Sequence, residues 1–354
     1  MAPNRSLAQA TLLFVGDFSA SKVGNRSVAE DLVERLSQTG CQVLTTSEQP
    51  GRLRRVADMV FTTWRRRTQV DAASVDVFSG RGFMWAEATG WLLRRVQVPF
   101  VLVLHGGALP TFAQRHPQRV KTLLTSADRV VTPSAYLADQ MKIYVSTCEL
   151  IPNPVDLARY PFVVREAASP KLLWLRSFHH TYNPMLAPRV VALLAETFPE
   201  VTLTMIGPDR GDGSLAATQQ LAQDLGVAER IEFVGPVANA EVPKWLATGD
   251  IMINTTTVDN TPVSVLEAMA SGVCVVSTAV GGIPYLLNDR ENALLVPSDD
   301  AAAMAEAVSG ILTNSSLAKK LSLRGRALVE TFDWSVVLPK WLELFDKLVE
   351  GVAQ

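Results

Sequence analysis

The sequence has few cysteines and histidines and no long hydrophobic run, which excludes several classes of protein. Its three cysteines, Cys41, Cys148 and Cys274, stand far apart without CxxC spacing. Neither a disulfide framework nor a cysteine-ligated zinc site is therefore predicted. The four histidines show no HxxxH or HExxH pattern, so we expect no catalytic metal. No apolar run approaches the ~18–20 residues of a membrane span.

The composition is that of a large globular protein. The 354 residues are 48% hydrophobic and 19% charged, values that exclude a disordered or fibrous chain. Because this length exceeds one ordinary core, we expect two domains. We interpret the apolar segment 11–15 as a first strand and not as a signal peptide, since Gly16 and Asp17 end it and no convincing cleavage site follows. The isolated cysteines fit a reducing cytoplasm.

The two halves of the sequence carry opposite charge. Residues 1–165 contain 20 Lys and Arg against 13 Asp and Glu, whereas residues 166–354 contain 13 against 22. The basic residues that stand out are Arg52, Arg54, Arg55, Arg65, Arg66, Arg67, Arg94 and Arg95, interleaved with Leu53, Val56, Met59, Trp64 and Trp91. This pattern indicates either a surface for an anionic membrane or ordinary solvated helix faces. Nucleic acid is not an expected partner, because the net charge is −2 and no basic recognition helix is present.

Short β-branched runs alternate with amphipathic segments along the chain, which is typical of βαβ units and a parallel sheet. The predicted strands are 11–15, 42–45, 75–79, 100–104, 129–132 and 149–152, then 171–175, 201–206, 230–234, 250–254, 273–277 and 293–296. Helices are predicted at 301–313, 316–331 and 335–350. The pattern therefore predicts an α/β fold with two doubly wound parallel-sheet domains, over residues 1–165 and 170–330.

Ligands of doubly wound folds bind beyond the carboxyl ends of the strands, so residues that follow strands are site candidates. Gly16 ends the first strand, and a loop through Gly24 leads into a helix. These two glycines serve either phosphate binding at the helix start or only a tight turn. His105 directly follows the strand 100–104 and precedes two glycines. It is either a ligand-facing imidazole or a core histidine.

The stretch 259–272 contains the most candidate chemistry. Pro262 suits the first turn of a helix, and the free amides of Val263 and Ser264 at that helix start would favour an anion. Glu267 falls about one turn further on. Its carboxylate either accepts two hydroxyls of a ribose, as in dinucleotide-binding folds, or is a solvated side chain on a capped surface helix.

Asp259 and Glu267, followed by AlaMetAlaSerGly, ValVal and GlyGlyIlePro, resemble the E-x7-E signature of the family 4 glycosyltransferases, which are retaining enzymes of the GT-B fold. Other segments match the family in order: the early glycine loop, 105–107, 126–134, 151–156, Arg176, 206–208 and 233–235. The resemblance implies two Rossmann-like domains that face each other across a crevice. It also implies a last helix, within 331–354, that crosses back to the N-terminal domain.

The resemblance implies roles for the residues of the second half. Glu267 would hold the nucleotide ribose, and Asp259 would contact hydroxyls of the donor sugar. Arg176 would contact the donor diphosphate, to which Val263 and Ser264 would offer backbone amides.

The resemblance assigns the first half to the phosphate and the reacting sugar. Gly16 and Gly24 would let backbone amides approach the β-phosphate, and His105 would lie beside the sugar. The family needs no metal or other cofactor. The chain departs from the family where Asp259 shortens the first glutamate and where Thr181 stands near the position of a usual lysine.

We therefore predict a retaining glycosyltransferase that moves a hexose from a UDP- or GDP-sugar to a hydroxyl of a sugar or lipid-linked acceptor. The expected process is synthesis of cell-envelope polysaccharide or glycolipid, in the cytoplasm or peripherally on the inner face of the membrane. Two alternatives remain: a sugar-nucleotide epimerase of the GT-B fold, and a catalytically silent nucleotide-sugar-binding protein. The base, the sugar and the acceptor have no readable code in the sequence.

Overall fold

The computed structural model describes residues 7–16, 18, 28–47 and 52–351. The chain forms two compact units. The N-terminal unit contains the described residues up to Pro154 together with those from Ser335 onward, and the C-terminal unit is Val155–Trp334. Each unit contains one six-stranded parallel sheet.

In the N-terminal unit the strands lie in the order β2-β1-β3-β4-β5-β6. The strands are β1 (Thr11–Val15), β2 (Gln42–Thr46), β3 (Ala72–Val77), β4 (Phe100–Leu104), β5 (Arg129–Thr132) and β6 (Glu149–Leu150). The helices between them are α1 (Val28–Gln38), α2 (Arg52–Arg66), α3 (Phe83–Arg95), α4 (Leu109–Arg115), α5 (Pro117–Leu124) and α6 (Ala135–Met141).

In the C-terminal unit the strands lie in the order β12-β11-β10-β7-β8-β9. The strands are β7 (Lys171–Leu175), β8 (Thr202–Ile206), β9 (Ile231–Gly235), β10 (Ile251–Asn254), β11 (Cys274–Thr278) and β12 (Leu294–Val296). The helices are α7 (Leu186–Ala195), α8 (Ser214–Asp224), α9 (Val242–Leu246), α10 (Val263–Ala270), α11 (Ile283–Leu286), α12 (Ala301–Thr313) and α13 (Ser315–Glu330). The last helix, α14 (Trp334–Glu350), lies almost wholly within the N-terminal unit.

Strands covered on both faces explain the continuous apolar runs in the sequence. Every residue of β4 is buried, as expected for a strand in a parallel sheet with helices on both sides. In β7 the side chains alternate: Leu172 and Trp174 join the core on one face of the sheet, and Leu173 joins the core on the other. The period of two residues therefore divides one apolar run between two cores.

All twelve predicted strands are present, with one clear shift in position. The third was predicted at 75–79, but β3 runs from Ala72 to Val77. Alanine has a low intrinsic preference for strands, so the sequence pattern missed the start. Ala72 and Ala73 are fully buried and β3 pairs with both β1 and β4, so tertiary context overrides that preference. The three predicted C-terminal helices are confirmed as α12, α13 and α14 within one or two residues.

A buried arginine anchors the segment that leads into the second sheet. Arg165 is only 7% exposed, and its Nε lies 2.8 Å from Asp250 Oδ1. Its Nη atoms donate to the carbonyl oxygens of Val163, at 2.7 Å, and Gly249, at 3.0 Å. Asp250 Oδ2 accepts the Ser169 N–H at 2.8 Å. Because each charge is hydrogen-bonded, the pair holds the chain on either side of Arg165 against the start of β10.

The helix α14 packs its aromatic side chains against the first sheet. The Phe345 ring lies 5.6 Å from that of Phe14 in β1, and 5.9 Å from that of Trp341. Aromatic pairs at these distances add to the area that they bury. None of the helices within the described residues combines the length and the apolarity needed to span a membrane.

Candidate functional site

Both sheets reverse their strand order beside their first strand. β2 and β3 flank β1 in the first sheet, and β8 and β10 flank β7 in the second. At such a reversal the loops that follow the two adjacent strands run in opposite directions, and ligands of α/β sheets bind in the space between them. The charged residues described below lie at these two reversals.

In the C-terminal unit the reversal brings together an arginine and an aspartate. Arg176 directly follows β7, and Asp259 lies in the loop after β10. Their side chains, each 13% exposed, form an ion pair. Asn254 Oδ1 accepts Arg176 Nε at 3.4 Å, and the guanidinium carbon lies 4.7 Å from the ring centre of Tyr182. Burial lowers the pKa of Arg176 to about 10, so this side chain stays positively charged at neutral pH.

Glycines allow the backbone to approach these two charged residues closely. A Cβ atom at Gly207 would overlap the carbonyl oxygen of Arg176, and one at Gly281 would overlap that of Asp259. Gly281 also has φ +54°, a conformation that favours glycine. The IleGlyPro and GlyGlyIlePro motifs therefore have a direct structural reason, because each supports one member of the ion pair.

A glutamate of α10 is hydrogen-bonded to a buried tyrosine. Tyr160 Oη donates to Glu267 Oε1 at 2.6 Å. Burial is the largest effect on Glu267 and raises the pKa of its carboxyl group. The hydrogen bond from Tyr160 and the charges of Arg159 and Arg176 act in the opposite direction and lower that pKa. The contacts of Glu267 therefore favour its ionised form in a setting that disfavours charge.

The start of α10 exposes polar groups that suit a ligand. Pro262 directly precedes the helix and does not lie in its first turn as predicted. Val263 is the first residue of the helix. The N–H groups of Val263 and Ser264 have no intrahelical acceptor because they lie in the first turn. Ser264 Oγ and Asn260 Oδ1 are buried without a hydrogen-bond partner among the described residues. Buried polar atoms usually have a hydrogen-bond partner, and a ligand or an ordered water can supply one at this position.

In the N-terminal unit the reversal brings together a glycine, an aspartate and a histidine. His105 Nε2 lies 3.0 Å from Asp76 Oδ1, and the imidazole stacks on Phe78 with ring centres 5.0 Å apart. A Cβ atom at Gly16 would overlap the Asp76 carboxylate. The Gly16 N–H donates to Thr46 O at 2.7 Å, so this amide is engaged in the sheet. Within the described residues, Gly16 leaves room for Asp76.

Some predicted residues are located by the structure, and other polar residues of the two sites were missed. Gly24 lies outside the described residues. Asp76, Asn254, Tyr160 and Tyr182 were not predicted. Asp76 and Asn254 each stand in an apolar strand, a signal that could have identified them, since a polar residue in a buried strand needs a partner. The two tyrosines carry no such signal in the sequence.

Two histidines that lie a few residues after Arg176, His179 and His180, form a cluster with Asp212. His180 Nδ1 and His179 Nε2 lie 3.1 and 3.9 Å from Asp212 Oδ2, within the spacing of metal ligands. However, His179 Nδ1 accepts the Thr181 N–H at 3.3 Å, which assigns the proton of a neutral ring to the nitrogen that faces Asp212. Asp212 Oδ2 also accepts the His180 N–H at 2.7 Å. Hydrogen bonding accounts for this cluster.

Comparison with solved structures defines the class of fold. Sucrose-phosphate synthase from Thermosynechococcus elongatus matches over 97% of this chain and 100% of its own, with a TM-score of 0.79 and 18% identity. HepE from Anabaena, in complex with UDP and glucose, matches over 96% of this chain and 100% of its own, with a TM-score of 0.73 and 17% identity. The fold is therefore the two-domain α/β fold known as GT-B.

Comparison with protein families defines the family. Residues 26–159 match the model described as Glycosyltransferase Family 4, and residues 169–314 match the model described as Glycosyl transferases group 1. The chain belongs to the family 4 glycosyltransferases and is a transferase that uses a nucleotide sugar. The resemblance seen in the sequence is confirmed.

Two curated relatives are similar to this chain. The D-inositol 3-phosphate glycosyltransferase of Salinispora arenicola is 26% identical in an alignment of 343 positions that covers 86% of this chain and 75% of that protein. The phosphatidyl-myo-inositol mannosyltransferase of Mycobacterium tuberculosis is 28% identical in an alignment of 229 positions that covers 61% of this chain and 58% of that protein.

The contact between Gly16 and Asp76 gives a testable prediction. In Gly16→Ala the new methyl group would meet the Asp76 carboxylate, so we expect a loss of about 1–3 kcal/mol in the free energy of unfolding. In an Asp76→Ala background the same change should cost less than about 0.5 kcal/mol, since the obstructing group is gone. Urea unfolding of the four proteins of this cycle measures both values. Equal losses in the two backgrounds would contradict the contact.

Proposed function

We propose that this protein transfers a hexose from a UDP- or GDP-sugar to a hydroxyl acceptor with retention at the anomeric carbon. The observation that carries the proposal is the set of three partly buried charged side chains at the strand reversal of the C-terminal unit: Arg176, Asp259 and Glu267. Burying charged side chains is unfavourable unless they are paired with each other or contact a ligand. Strongly perturbed ionisable groups in one place are a mark of a functional site.

The proposed donor site uses each of these charges. Arg176 and the amides of Val263 and Ser264 offer positive charge and N–H donors to the diphosphate. Glu267 accepts the ribose hydroxyls, and Asp259, which already pairs with Arg176, contacts hydroxyls of the sugar. Asp259 Oδ1 also accepts the Asn260 N–H at 2.8 Å. This hydrogen bond holds the carboxylate of the short side chain close to the backbone of the loop.

The proposed reaction needs no metal or other cofactor. The bond between the anomeric carbon and the β-phosphate oxygen breaks, and its electron pair stays on the diphosphate. The acceptor oxygen bonds to the same face of that carbon, and its proton passes to the released diphosphate. Arg176 and the start of α10 stabilise the negative charge that develops, an effect that can contribute several kcal/mol in such sites. The role that we propose for His105, whose Nε2 lies 3.0 Å from Asp76 Oδ1, is to contact the sugar of the donor.

The relatives support the choice of donor and acceptor. The HepE structures contain UDP and UDP-glucose, and the named relatives act on inositol 3-phosphate and on phosphatidyl-myo-inositol. We propose a sugar or lipid-linked hydroxyl acceptor and a role in cell-envelope polysaccharide or glycolipid synthesis, on the cytoplasmic side of the membrane.

Donor recognition can be tested with one variant and a matched control. Glu267→Ala should raise the apparent KM for the sugar-nucleotide donor roughly 10- to 150-fold, because a hydrogen bond to a charged group contributes about 1.5–3 kcal/mol. Glu306→Ala removes an exposed glutamate from the helix α12 and should leave this apparent KM unchanged. The assay measures release of UDP or GDP from a panel of sugar nucleotides in the presence of a membrane extract.

The outcomes of this assay separate the proposal from its alternatives. Release that requires the extract and weakens in Glu267→Ala supports the transferase, and proton NMR of the product then shows whether the anomeric configuration is retained. A new sugar nucleotide formed without acceptor would indicate an epimerase. An unchanged apparent KM for the donor in Glu267→Ala would show that this residue does not bind the donor.

We also propose that the end of α2 docks on an anionic membrane. Phe61 and Trp64 are 55% and 51% exposed, and Arg65 and Arg66 beside them are exposed as well. The Arg67 guanidinium carbon lies 4.7 Å from the ring centre of Trp64. Such a mixture of aromatic and basic side chains suits a lipid headgroup region. Met59, which the sequence pattern grouped with this surface, is only 2% exposed and belongs to the core.

Vesicle binding tests this surface. The double variant Arg65→Gln/Arg66→Gln should bind vesicles of anionic phosphatidylglycerol about 30-fold more weakly, since each basic residue contributes about 1 kcal/mol near such a surface. Binding of the unchanged protein should fall with added salt, and Leu193→Ser, at an exposed position of α7, serves as the control. Co-sedimentation with vesicles that changes neither with added salt nor with substitution of the two arginines would contradict the proposal.

A further inference from the structure

We propose that Tyr160 is a positioning residue for donor recognition: its hydroxyl fixes the Glu267 carboxylate in the orientation that accepts the ribose hydroxyls. This inference rests on the proposed function, in which Glu267 binds the ribose. It adds a residue that touches no substrate and acts through its neighbour.

The Tyr160 ring is held rigidly. It is 4% exposed and belongs to the core formed on one face of the second sheet, together with Val155 and Val265. The chain around it is fixed as well. The Val155 N–H donates to Phe332 O at 2.8 Å, and Arg159 Nη2 donates to Asn239 O at 2.6 Å. The hydroxyl therefore has one well-defined position from which to hold a partner.

The hydrogen bond from Tyr160 orients a side chain that would otherwise be mobile. A glutamate has three rotatable bonds, and fixing such a side chain costs conformational entropy. Tyr160 Oη lies 2.6 Å from Glu267 Oε1, so one carboxylate oxygen is held before any ligand binds. Tyr160 is the one hydrogen-bond partner of the Glu267 carboxylate within the part of the chain that the structure describes, so the second oxygen and the remaining lone pair of the first can accept two neighbouring ribose hydroxyls. Nucleotide binding then costs less conformational entropy, because the carboxylate of Glu267 is already oriented.

The same hydrogen bond keeps Glu267 in the ionised form, which accepts hydrogen bonds from hydroxyl groups. Burial raises the pKa of Glu267, whereas Tyr160, Arg159 and Arg176 lower it. Removal of the Tyr160 hydroxyl would leave burial less opposed, so the pKa of Glu267 would rise further. As the pH falls, Glu267 should therefore become protonated at a higher pH in Tyr160→Phe than in the unchanged protein.

A purely packing role for Tyr160 predicts something different. A buried tyrosine commonly finds a hydrogen-bond partner for its hydroxyl without any function. In that case Tyr160→Phe, which keeps the ring, would change the stability of the protein but not its preference for a ribose. The two roles are therefore distinguished by nucleotide selectivity and not by folding.

The test compares binding of UDP and GDP with binding of their 2′,3′-dideoxy counterparts, which lack both ribose hydroxyls, by titration calorimetry. Tyr160→Phe should raise the dissociation constant of the ribonucleotide about tenfold and leave that of the dideoxynucleotide within about twofold. In a Glu267→Ala background it should have no further effect, because the residue through which it acts is gone. Tyr144→Phe, at a partly buried tyrosine of the N-terminal unit, should match the unchanged protein. Melting curves check that each variant is folded.

A pH series gives a second readout. As the pH is lowered, the dissociation constant of the ribonucleotide should begin to rise at a higher pH for Tyr160→Phe than for the unchanged protein. Equal weakening for both nucleotides, an effect that persists without Glu267, or identical pH profiles would each overturn the inference.

The outcomes also separate this inference from the proposed function. If Glu267→Ala abolishes the ribose preference while Tyr160→Phe preserves it, only the role of Tyr160 fails. If Glu267→Ala itself keeps the preference, or if the unchanged protein binds neither UDP nor GDP, the proposed donor site fails.

Discussion

The reversal of strand order beside the first strand of each sheet is the constraint on which both candidate sites depend. Because β10 lies next to β7 and β3 next to β1, residues far apart in the sequence meet where these strands end. Arg176 thus meets Asp259, and Gly16 lies against Asp76. A parallel sheet that added its strands in one direction only would leave no such opening between neighbouring loops.

The polar residues at the reversal of the C-terminal unit are arranged to tolerate burial without being neutralised. Arg176 has Asp259, Asn254 and the ring of Tyr182 around it, and Glu267 has the hydroxyl of Tyr160. An apolar core would stabilise the unit at least as well, since a buried ion pair seldom exceeds the stability of well-packed apolar residues. Their presence is best explained by a ligand that uses these charges.

Much of the fold follows from the sequence, because apolar runs of strand length and amphipathic segments alternate without interruption. The clearest error, at β3, arose where two alanines begin the strand and only their neighbours in the sheet make them a strand. Arg176, Asp259 and Glu267, the residues of the proposed donor site, could be named because they lie in motifs that resemble a family. Tyr160 and Asp76 could not, since their importance comes from contacts with Glu267 and His105, and these contacts cross 107 and 29 positions of the chain. Long-range pairs of this kind have no local signal.

In the proposed donor site, the strand reversal of the C-terminal unit holds a nucleoside diphosphate through Glu267 and Arg176. A crystal structure of the protein with UDP or GDP bound tests this site most directly. We expect two ribose hydroxyls within about 2.6–3.2 Å of the Glu267 carboxylate oxygens, and diphosphate oxygens on the Arg176 guanidinium and the first amides of α10. A nucleotide bound elsewhere, or one whose ribose points away from Glu267, would contradict it.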